Sequence, residues 1–225
     1  MDRRASATRQ ALLDSAQTLF AERGFDAVAT RELVERAGAN IAAISYHFGS
    51  KRALYLETVR GAMHDERFER AWSELDGPFT KPADAARALA VFVRAFLPGL
   101  LEDRELNACS CLMLREAMQP SEALDDVLRQ FIEPREQALE DAIRAARPEL
   151  KPKEARLCAR SLFGQLLHQH LFRPFFEGLR GRPHAKRDVQ AITDHVIRFS
   201  LRGIGLRDAQ ITKALASSAR PTPDA

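Results

Sequence analysis

The chain has 225 residues, of which 45% are hydrophobic and 29% are charged, a composition typical of a soluble globular protein. Its formal net charge of +3 is too small to indicate a nucleic-acid partner by itself, and no segment has the ~20 apolar residues that a membrane-spanning helix requires. Charges interrupt the N-terminal stretch, so it does not read as a signal peptide, and three cysteines give neither a disulfide framework nor a zinc-site spacing. We therefore expect a cytoplasmic protein without metal or other cofactor.

The first predicted element is a helix over residues 5–23. Its apolar residues Leu12, Ala16, Leu19 and Phe20 repeat at helical spacing, and Gly24 ends the pattern. Together with the two short helices that follow, this helix predicts a three-helix headpiece. The expected core of the headpiece consists of Leu12, Leu19, Phe20, Phe25, Val28, Leu33, Val34, Ile44 and Phe48.

Residues 28–52, VATRELVERAGANIAAISYHFGSKR, have the pattern of a helix-turn-helix. Thr30 is expected to cap the first helix, and Gly38 supplies the left-handed residue that closes it. The second helix is predicted over about residues 41–47, with Ile44 and Phe48 on its core side. The other side carries mostly small residues, which allow a helix to enter a major groove, so the segment predicts DNA binding.

Longer helices are predicted downstream of the headpiece. Ser50 is expected to cap a fourth helix that ends near residue 75, before the Asp-Gly-Pro break. Pro98 is expected to end or kink one later helix, and Pro174 to break another near Arg173. Five further helices are predicted, over about 82–101, 105–118, 121–147, 152–176 and 185–206.

The sequence contains no convincing strand and predicts an all-α protein. We expect a helix-turn-helix DNA-binding domain over residues 1–52 and a larger helical domain for effector binding and dimerisation over residues 53–212. Residues 213–225, rich in small and polar residues and proline, are expected to form a flexible tail.

Residues from about 9 to 56 resemble the DNA-binding domain of TetR-family transcriptional regulators. The matching motifs are ALLDSAQTLFAERGFDAVATRELVERAG and YHFGSKRALY, which flank the predicted recognition helix. The chain departs from the pattern at Ser45, where members often carry Tyr. Residues 112–134, LMLREAMQPSEALDDVLRQFIEP, resemble a CerR-type C-terminal domain.

The resemblance and the helix geometry together imply a set of DNA-contacting residues. Phosphate contacts are expected near the helix ends, and base contacts along the exposed side of the recognition helix. Ile41 faces DNA in the resembled family, although packing within the headpiece is an equal alternative for this apolar side chain. The predicted phosphate contacts are Thr30, Arg31, Tyr46, His47 and Lys51, and the predicted base-reading residues are Asn40, Ile41, Ala42, Ala43 and Ser45.

The resemblance further implies a homodimer that binds a palindromic DNA operator, and a small-molecule effector that releases it from DNA. The last two long helices are the implied dimer-forming pair, although the same residues could also pack within one protomer. The predicted dimer residues are Leu162, Leu166, Gln169, Ile192, Val196 and Phe199. The predicted effector-binding residues are Phe68, Trp72, Phe92, Phe96, Met113, Phe131, Phe163 and His168, with filled core as the alternative.

Three other functions are alternatives to a ligand-controlled repressor. An enzyme is disfavoured because the sequence has no recognisable catalytic motif, and His168 and His170 are two residues apart, a poor metal pair on a regular helix. A thiol-based redox sensor could use Cys109, Cys111 or Cys158. A DNA binder without any ligand is the third alternative.

Overall fold

The structure is a computed structural model that describes residues 3–63, 66–102 and 108–218, with all their side chains except those at positions 3, 4, 67, 102 and 109. Every regular element within these ranges is helical, which confirms the all-α prediction. The α-helices are α1 (Arg3–Arg23), α2 (Thr30–Arg36), α3 (Ala42–Phe48), α4 (Lys51–Met63), α5 (Glu66–Ser73), α6 (Pro82–Glu102), α7 (Ala108–Met118), α8 (Leu124–Val127), α9 (Glu133–Ala146), α10 (Pro152–Leu171), α11 (Arg173–Arg180), α12 (Lys186–Gly203) and α13 (Asp208–Ser218). A π-helical turn, Leu128–Ile132, joins α8 to α9.

The chain forms two compact units, and each is built from two separate stretches of sequence. Unit 1 comprises residues 1–65 and 105–132, and unit 2 comprises residues 66–104 and 133–225. This division differs from a boundary at residue 52, because α4, α7, α8 and the π-turn pack with the headpiece. The functional assignment of the ranges 1–52 and 53–212 stays a prediction.

The core of unit 1 contains the residues expected for the headpiece. Leu12, Phe20 and Leu33 are fully buried, and Phe48 packs against the core with part of its surface exposed. The ring of Tyr55 on α4 packs against both Phe20 and Phe25, with ring centroids 5.0 and 5.1 Å away, and the Phe20 and Phe25 centroids are 6.0 Å apart. Apolar residues from the second stretch complete this core, namely Leu112, Ala123, Val127 and Phe131.

Unit 2 is organised around α6, which packs against α5, α9, α10, α12 and α13. The C-terminal end of α6 is held by two buried polar side chains from the end of α10 and the start of α11. His170 Nδ1 donates to the Leu100 carbonyl at 2.8 Å, and Arg173 Nη1 donates to the Leu101 carbonyl at 3.0 Å. These donors satisfy carbonyl groups that have no partner within their own helix.

Several predicted helices are divided in the structure, for identifiable reasons. The predicted helix from Ser50 to residue 75 is replaced by α4, which ends at Met63, and α5, and residues 64–65 lie outside the described ranges. The predicted helix over 121–147 is interrupted by the π-turn that directly precedes Glu133 and Pro134. Proline has no amide N–H to donate to the preceding turn, so regular α-helical bonding cannot continue through this point.

Proline has different effects at its two other predicted positions. The break near Pro174 is confirmed, since α10 ends at Leu171 and α11 begins at Arg173. Pro98 does not end α6, which continues to Glu102. The helix predicted over 105–118 is described from Ala108 onwards, and its first three residues lie outside the described ranges.

The prediction of a flexible tail from residue 213 onwards is wrong for residues 213–218. These residues belong to α13, whose side chains Ile211, Ala214 and Leu215 are buried in the core of unit 2. Their spacing of three and four residues is an amphipathic pattern that the small, polar composition of the tail obscured. The remaining tail residues, 219–225, lie outside the described ranges.

Candidate nucleic-acid interface

The start of α2 is capped differently from the prediction. Thr30 is the first helical residue rather than the cap, and the residue before it is Ala29. The Glu32 carboxylate accepts the Ala29 amide at 2.8 Å and pairs with Arg23 at 2.6 Å. A glutamate three residues after the cap residue can accept a hydrogen bond from the backbone amide of that residue. Glu32 therefore supplies the side-chain capping contact that was expected from Thr30.

The turn between α2 and α3 follows the predicted glycine geometry. Gly38 has φ of +61°, and the amides of Gly38 and Ala39 donate to the carbonyls of Glu35 and Val34. This pattern of two bonds is a Schellman motif, which requires a left-handed residue. Asn40 follows, and its side-chain oxygen accepts the Ala42 amide at 2.8 Å. Asn40 therefore caps α3, and its side-chain NH₂ is the group left to contact a base.

The recognition helix α3 has one buried face and one exposed face. Ile44 is 3% exposed and anchors the helix to the core, whereas Ile41 is 56% and Tyr46 is 79% exposed. Ala42 and Ser45 are also exposed, and Ala43 and His47 are half-buried. The exposure of Ile41 does not fit the alternative in which this side chain packs into the headpiece. Most of the predicted reading residues therefore share one accessible surface.

Two of the predicted phosphate-contacting residues, Arg31 and Lys51, have local partners within unit 1. Arg31 Nε lies 2.7 Å from Glu35 Oε1, and Lys51 Nζ lies 4.3 Å from the centroid of the Phe25 ring. Burial lowers the pKa of Lys51, while the nearby carboxylates of Asp26 and Glu122 act in the opposite direction. Arg31 is therefore held by an ion pair and Lys51 by a cation–π contact.

Two further contacts fix the ends of α3 and α4. The Ser50 hydroxyl accepts the Ala53 amide at 3.0 Å, which confirms Ser50 as the cap of α4. The Arg9 guanidinium lies 4.9 Å from the Phe48 ring centroid and 2.9 Å from the Glu57 carboxylate. Arg9 thus connects α1, the last residue of α3, and α4. Sequence reasoning missed this role because no pattern links residues 9, 48 and 57.

Comparison with known proteins identifies the family. Residues 12–58 match the bacterial regulatory proteins of the tetR family, and residues 85–204 match the C-terminal domain of the HTH-type transcriptional dual regulator CecR. The chain belongs to the TetR family of DNA-binding transcriptional regulators, with a CecR-type C-terminal domain. The C-terminal resemblance described above as CerR-type is to this CecR domain.

Individual relatives agree with this assignment. CecR from Shigella flexneri is 34% identical over 132 residues, which is 56% of this chain and 58% of the relative. The repressor KstR2 from Rhodococcus jostii is 42% identical over 60 residues, or 27% of this chain and 29% of the relative. The chain thus spans less than two thirds of the length of these curated relatives.

Solved structures show the same fold at low sequence identity. The SmeT–triclosan complex is 19% identical, with a TM-score of 0.63 over 97% of this chain and 100% of that chain. NalD from Pseudomonas aeruginosa, the secondary repressor of the MexAB-OprM multidrug efflux pump, is 20% identical, with a TM-score of 0.58 over 89% of this chain and 97% of that chain. Within the described residues of the present TetR-family chain, no helix is both long and apolar enough to cross a membrane.

The residues predicted to bind an effector do not form a single group. Met113 and Phe131 pack in the core of unit 1, whereas Phe68, Trp72, Phe92, Phe96 and Phe163 pack in unit 2. The Trp72 ring centroid lies 4.7 Å from Phe92, 5.7 Å from Phe96 and 5.9 Å from Phe163. We call Phe68, Trp72, Phe92, Phe96 and Phe163 the aromatic cluster. His168 is exposed and stacks on Phe172 at 4.9 Å.

The predicted dimer residues also divide into two groups. Leu162, Leu166 and Val196 are at most 2% exposed, so they pack within one protomer, which was the alternative reading of these positions. Phe199 is 59% exposed, and Gln169 and Ile192 are partly exposed. The first group is buried because α10 and α12 turn these side chains towards α6.

An open groove runs along the outer side of α10 and α12. It has a volume of about 370 Å³, and Gly164, His168, His195 and Phe199 are among the residues that line it. A Cβ atom added at Gly164 would meet nothing within 4 Å. This surface of the regulator is therefore accessible and partly apolar. At Gly164 it carries no bulky side chain.

The cysteines give little support to redox sensing. Burial raises the pKa of the half-buried Cys158 thiol on α10, and Glu154 adds to this effect. Reactive sensor thiols have a lowered pKa, because the thiolate is the reacting form. Cys111 on α7 is also half-buried, and the Cys109 side chain lies outside the described set.

Proposed function

We propose that this regulator binds a palindromic operator as a homodimer, represses transcription there, and is released by a small apolar effector in the cytoplasm. The proposal rests above all on α3, where Ile44 is buried and the opposite face presents Ile41, Ala42, Ser45 and Tyr46. A short helix with one anchored and one bare face can lie in a major groove. Thr30, Arg31, His47 and Lys51 flank that face and supply candidate phosphate contacts.

Selection of bound sequences from random duplex DNA tests the operator. A dimer of this fold presents two recognition helices about 34 Å apart, so we expect two inverted half-sites separated by one helical turn. Recovery of a single unrepeated half-site would contradict the palindrome. Equal binding of all sequences would instead favour a DNA binder without specificity.

The homodimer is proposed to form through the groove side of α10 and α12. Phe199 is the large exposed apolar residue on this side of α12, and Gly164 on α10 allows a second helix to approach closely. An isologous interface brings each such residue near its own copy across the two-fold axis. In sedimentation at micromolar concentration, we expect a dimer for the native chain and a monomer for Phe199→Glu. Leu157→Glu is the matched control, because Leu157 is similarly exposed on α10 but does not line the groove.

The effector is proposed to bind at the aromatic cluster of unit 2. Phe92 and Phe96 are buried, but Phe68, Trp72 and Phe163 are only partly buried, so a small apolar molecule can reach the cluster. The Arg135 guanidinium lies 5.6 Å from the Trp72 ring centroid and is a candidate polar contact. A coupling of about 1–3 kcal/mol between this site and the DNA site would change operator affinity by roughly 5- to 150-fold.

Intrinsic fluorescence offers a direct test of this effector site. Trp72 is the only tryptophan in the sequence, so every change in tryptophan emission reports on the cluster. We expect a member of a panel of small apolar compounds to change Trp72 emission and to weaken operator binding over the same concentration range. A compound that changes the emission but leaves DNA affinity unchanged would contradict the proposed release.

A further inference from the structure

Polar contacts fasten the described part of the second stretch of unit 1, residues 108–132, to α1 and α4, and three of these ties lie at the end of α1 or near the start of α4. We call this stretch the clamp segment. At its first tie, Arg115 on α7 donates through Nε to the Ala21 carbonyl at 2.7 Å and through Nη2 to the Glu22 carbonyl. These carbonyls belong to the last turn of α1, where the helix itself supplies no partner.

The second tie is a buried carboxylate. Glu116 on α7 is 5% exposed, and its Oε1 accepts the Tyr55 hydroxyl of α4 at 2.6 Å. Ser121 donates its hydroxyl and its backbone amide to the same carboxylate, at 2.8 and 3.2 Å. Burial and the hydrogen bond to Glu116 raise the pKa of Tyr55, so this phenol stays protonated and remains a donor. Every group that faces Glu116 in these bonds is a donor, which suits a carboxylate and not an amide.

The third tie joins the clamp segment to the start of α4. Arg52 Nε lies 2.5 Å from Asp126 Oδ2, and Asp126 also pairs with Arg129 at 2.7 Å. The hydrogen bonds of Arg52 and Arg129 lower the pKa of Asp126, with burial acting in the opposite direction. The second and third ties therefore hold α4 at residues 55 and 52, and Arg60 Nη2 of the same helix donates to Gln130 Oε1 at 3.2 Å.

The position of α4 decides the position of the recognition helix. Only Gly49 and Ser50 separate α3 from α4, and α3 packs against α4. Gly49 has φ of +83° and closes α3 through its amide, so the joint is a tight turn and not a flexible linker. The Tyr55 ring also packs against Phe20 on α1 and against Phe25, which links its placement to α1.

We propose that the clamp segment sets the position of the recognition helix, and that Glu116 is the positioning residue through its bond to Tyr55. The segment continues into unit 2 at both of its ends, at residues 104–105 and 132–133. The inference depends on the proposed DNA-binding function and names a contact within unit 1 that holds the recognition helix in place.

The test uses the full-length chain with Glu116→Gln, Tyr55→Phe and the double variant. Gln keeps the shape of Glu but replaces one acceptor oxygen with a donor NH₂, and Phe keeps the ring while removing the hydroxyl. Operator affinity is measured by fluorescence anisotropy at 25 °C and several salt concentrations, after circular dichroism has shown that each variant is folded. The operator is the sequence that the native chain selects from random DNA.

We expect each single variant to raise the operator Kd about tenfold, which is the cost of a lost hydrogen bond to a charged group. The two effects should not add fully in the double variant, because both changes act on the hydrogen-bond network that joins Tyr55 to Glu116. The dependence of Kd on salt should match that of the native chain, because no phosphate contact is lost. Ile197→Val is the matched control, since it loosens the core of unit 2 and should leave the operator Kd unchanged.

Three results would overturn the proposal. They are folded variants with native operator affinity, effects that add fully in the double variant, or a salt slope reduced by about one unit. A loss of affinity in Ile197→Val equal to that in Tyr55→Phe would also reduce Glu116 to a general stabilising role. If the native chain selects no sequence at all, the proposed operator function fails, and that failure is separate from the positioning role.

Discussion

At the residue scale, the candidate interface combines side chains that would touch DNA with side chains that hold them in place. Ser45 and Tyr46 are exposed on α3, whereas Glu32 and Asn40 use their oxygens to cap helices. Capping residues determine where the free amides and contact residues of α2 and α3 lie. Loss of the Glu32 carboxylate should therefore weaken DNA binding without removing a direct contact, whereas loss of the Asn40 side chain should also remove a candidate base contact.

Lys51 gives the clearest prediction for a phosphate contact. Lys51→Ala should weaken binding to all sequences alike and reduce the slope of log K against log salt by about one unit, because one counterion fewer is released. The measurement is operator and non-operator affinity over a range of salt. Lys186→Ala is the control, because Lys186 is an exposed lysine at the start of α12 in unit 2. An unchanged slope in Lys51→Ala would mean that Lys51 remains against Phe25 in the complex.

Ser45 gives the corresponding prediction for sequence reading. Ser45→Ala removes a hydroxyl that can bond several base edges, so the preferred operator should change at one position in each half-site. Repeating the selection with the variant measures this change. A uniform loss of affinity, with the native preference retained, would place Ser45 among the phosphate contacts.

Arg9 is predicted to act by position and not by contact. Arg9→Gln removes the stacking on Phe48 and the pair with Glu57, so operator affinity should fall several-fold as α3 loosens. The salt slope separates the two possible roles, since only a phosphate contact would lower it by about one unit. Glu57→Gln, which leaves Arg9 over Phe48, should have the smaller effect. A native affinity in Arg9→Gln would show that α3 needs no such support.

At the element scale, α1 supports both helices of the helix-turn-helix through one buried hydroxyl and a shared core. Ser15 is 3% exposed, and its hydroxyl donates to the Leu33 carbonyl of α2 at 3.0 Å. This bond fixes α2 against α1 near the turn that leads into α3. The arrangement explains why a polar residue lies among the apolar ones of α1.

Ser15→Ala should lower the free energy of unfolding by about 1 kcal/mol, which is typical for a buried hydrogen bond. For a chain of this size, that change corresponds to a fall in Tm of roughly 2–4 °C. Thermal unfolding followed by circular dichroism measures it. Ser6→Ala is the control at an exposed helical position of α1, where Tm should stay the same or rise slightly. Equal effects of the two substitutions would argue against a structural role for the Ser15 bond.

At the scale of the whole molecule, the chain crosses between its two units three times, at residues 65–66, 104–105 and 132–133. The DNA-binding headpiece is therefore not an independent N-terminal module. Part of its core, including Leu112, Val127 and Phe131, comes from a stretch more than 40 residues downstream. A unit completed from the middle of the chain can respond to events elsewhere in the molecule.

This organisation predicts that residues 1–63 alone fold poorly. Without the clamp segment, Phe20, Phe25 and Tyr55 would lose the side chains that cover them, and exposed apolar surface costs about 25 cal/mol per Å². We expect low helicity and no cooperative thermal transition for the fragment, as measured by circular dichroism. A cooperative transition near that of the full chain would refute the prediction.

The headpiece could be predicted in detail because its signals are local. Helical spacing identified Leu12, Phe20 and Ile44 as core, and the left-handed Gly38 follows from the rules for closing a helix. The recognition helix was placed within one residue of its observed bounds, from Ala42 to Phe48. The family assignment rested on the same local motifs and is confirmed by the comparisons.

The sequence alone determined the helical class, the family and the buried side of α3 at Ile44, because residue spacing acts within a few positions. Only the tertiary structure decided that the clamp segment completes the headpiece, that Glu116 reaches Tyr55 across 61 positions, and that Leu162 and Val196 point inward. Amphipathic spacing shows that a helix has a buried face but does not say against which partner. Met113 and Phe92 both lie in apolar helical patterns of the sequence, but they pack in the cores of different units.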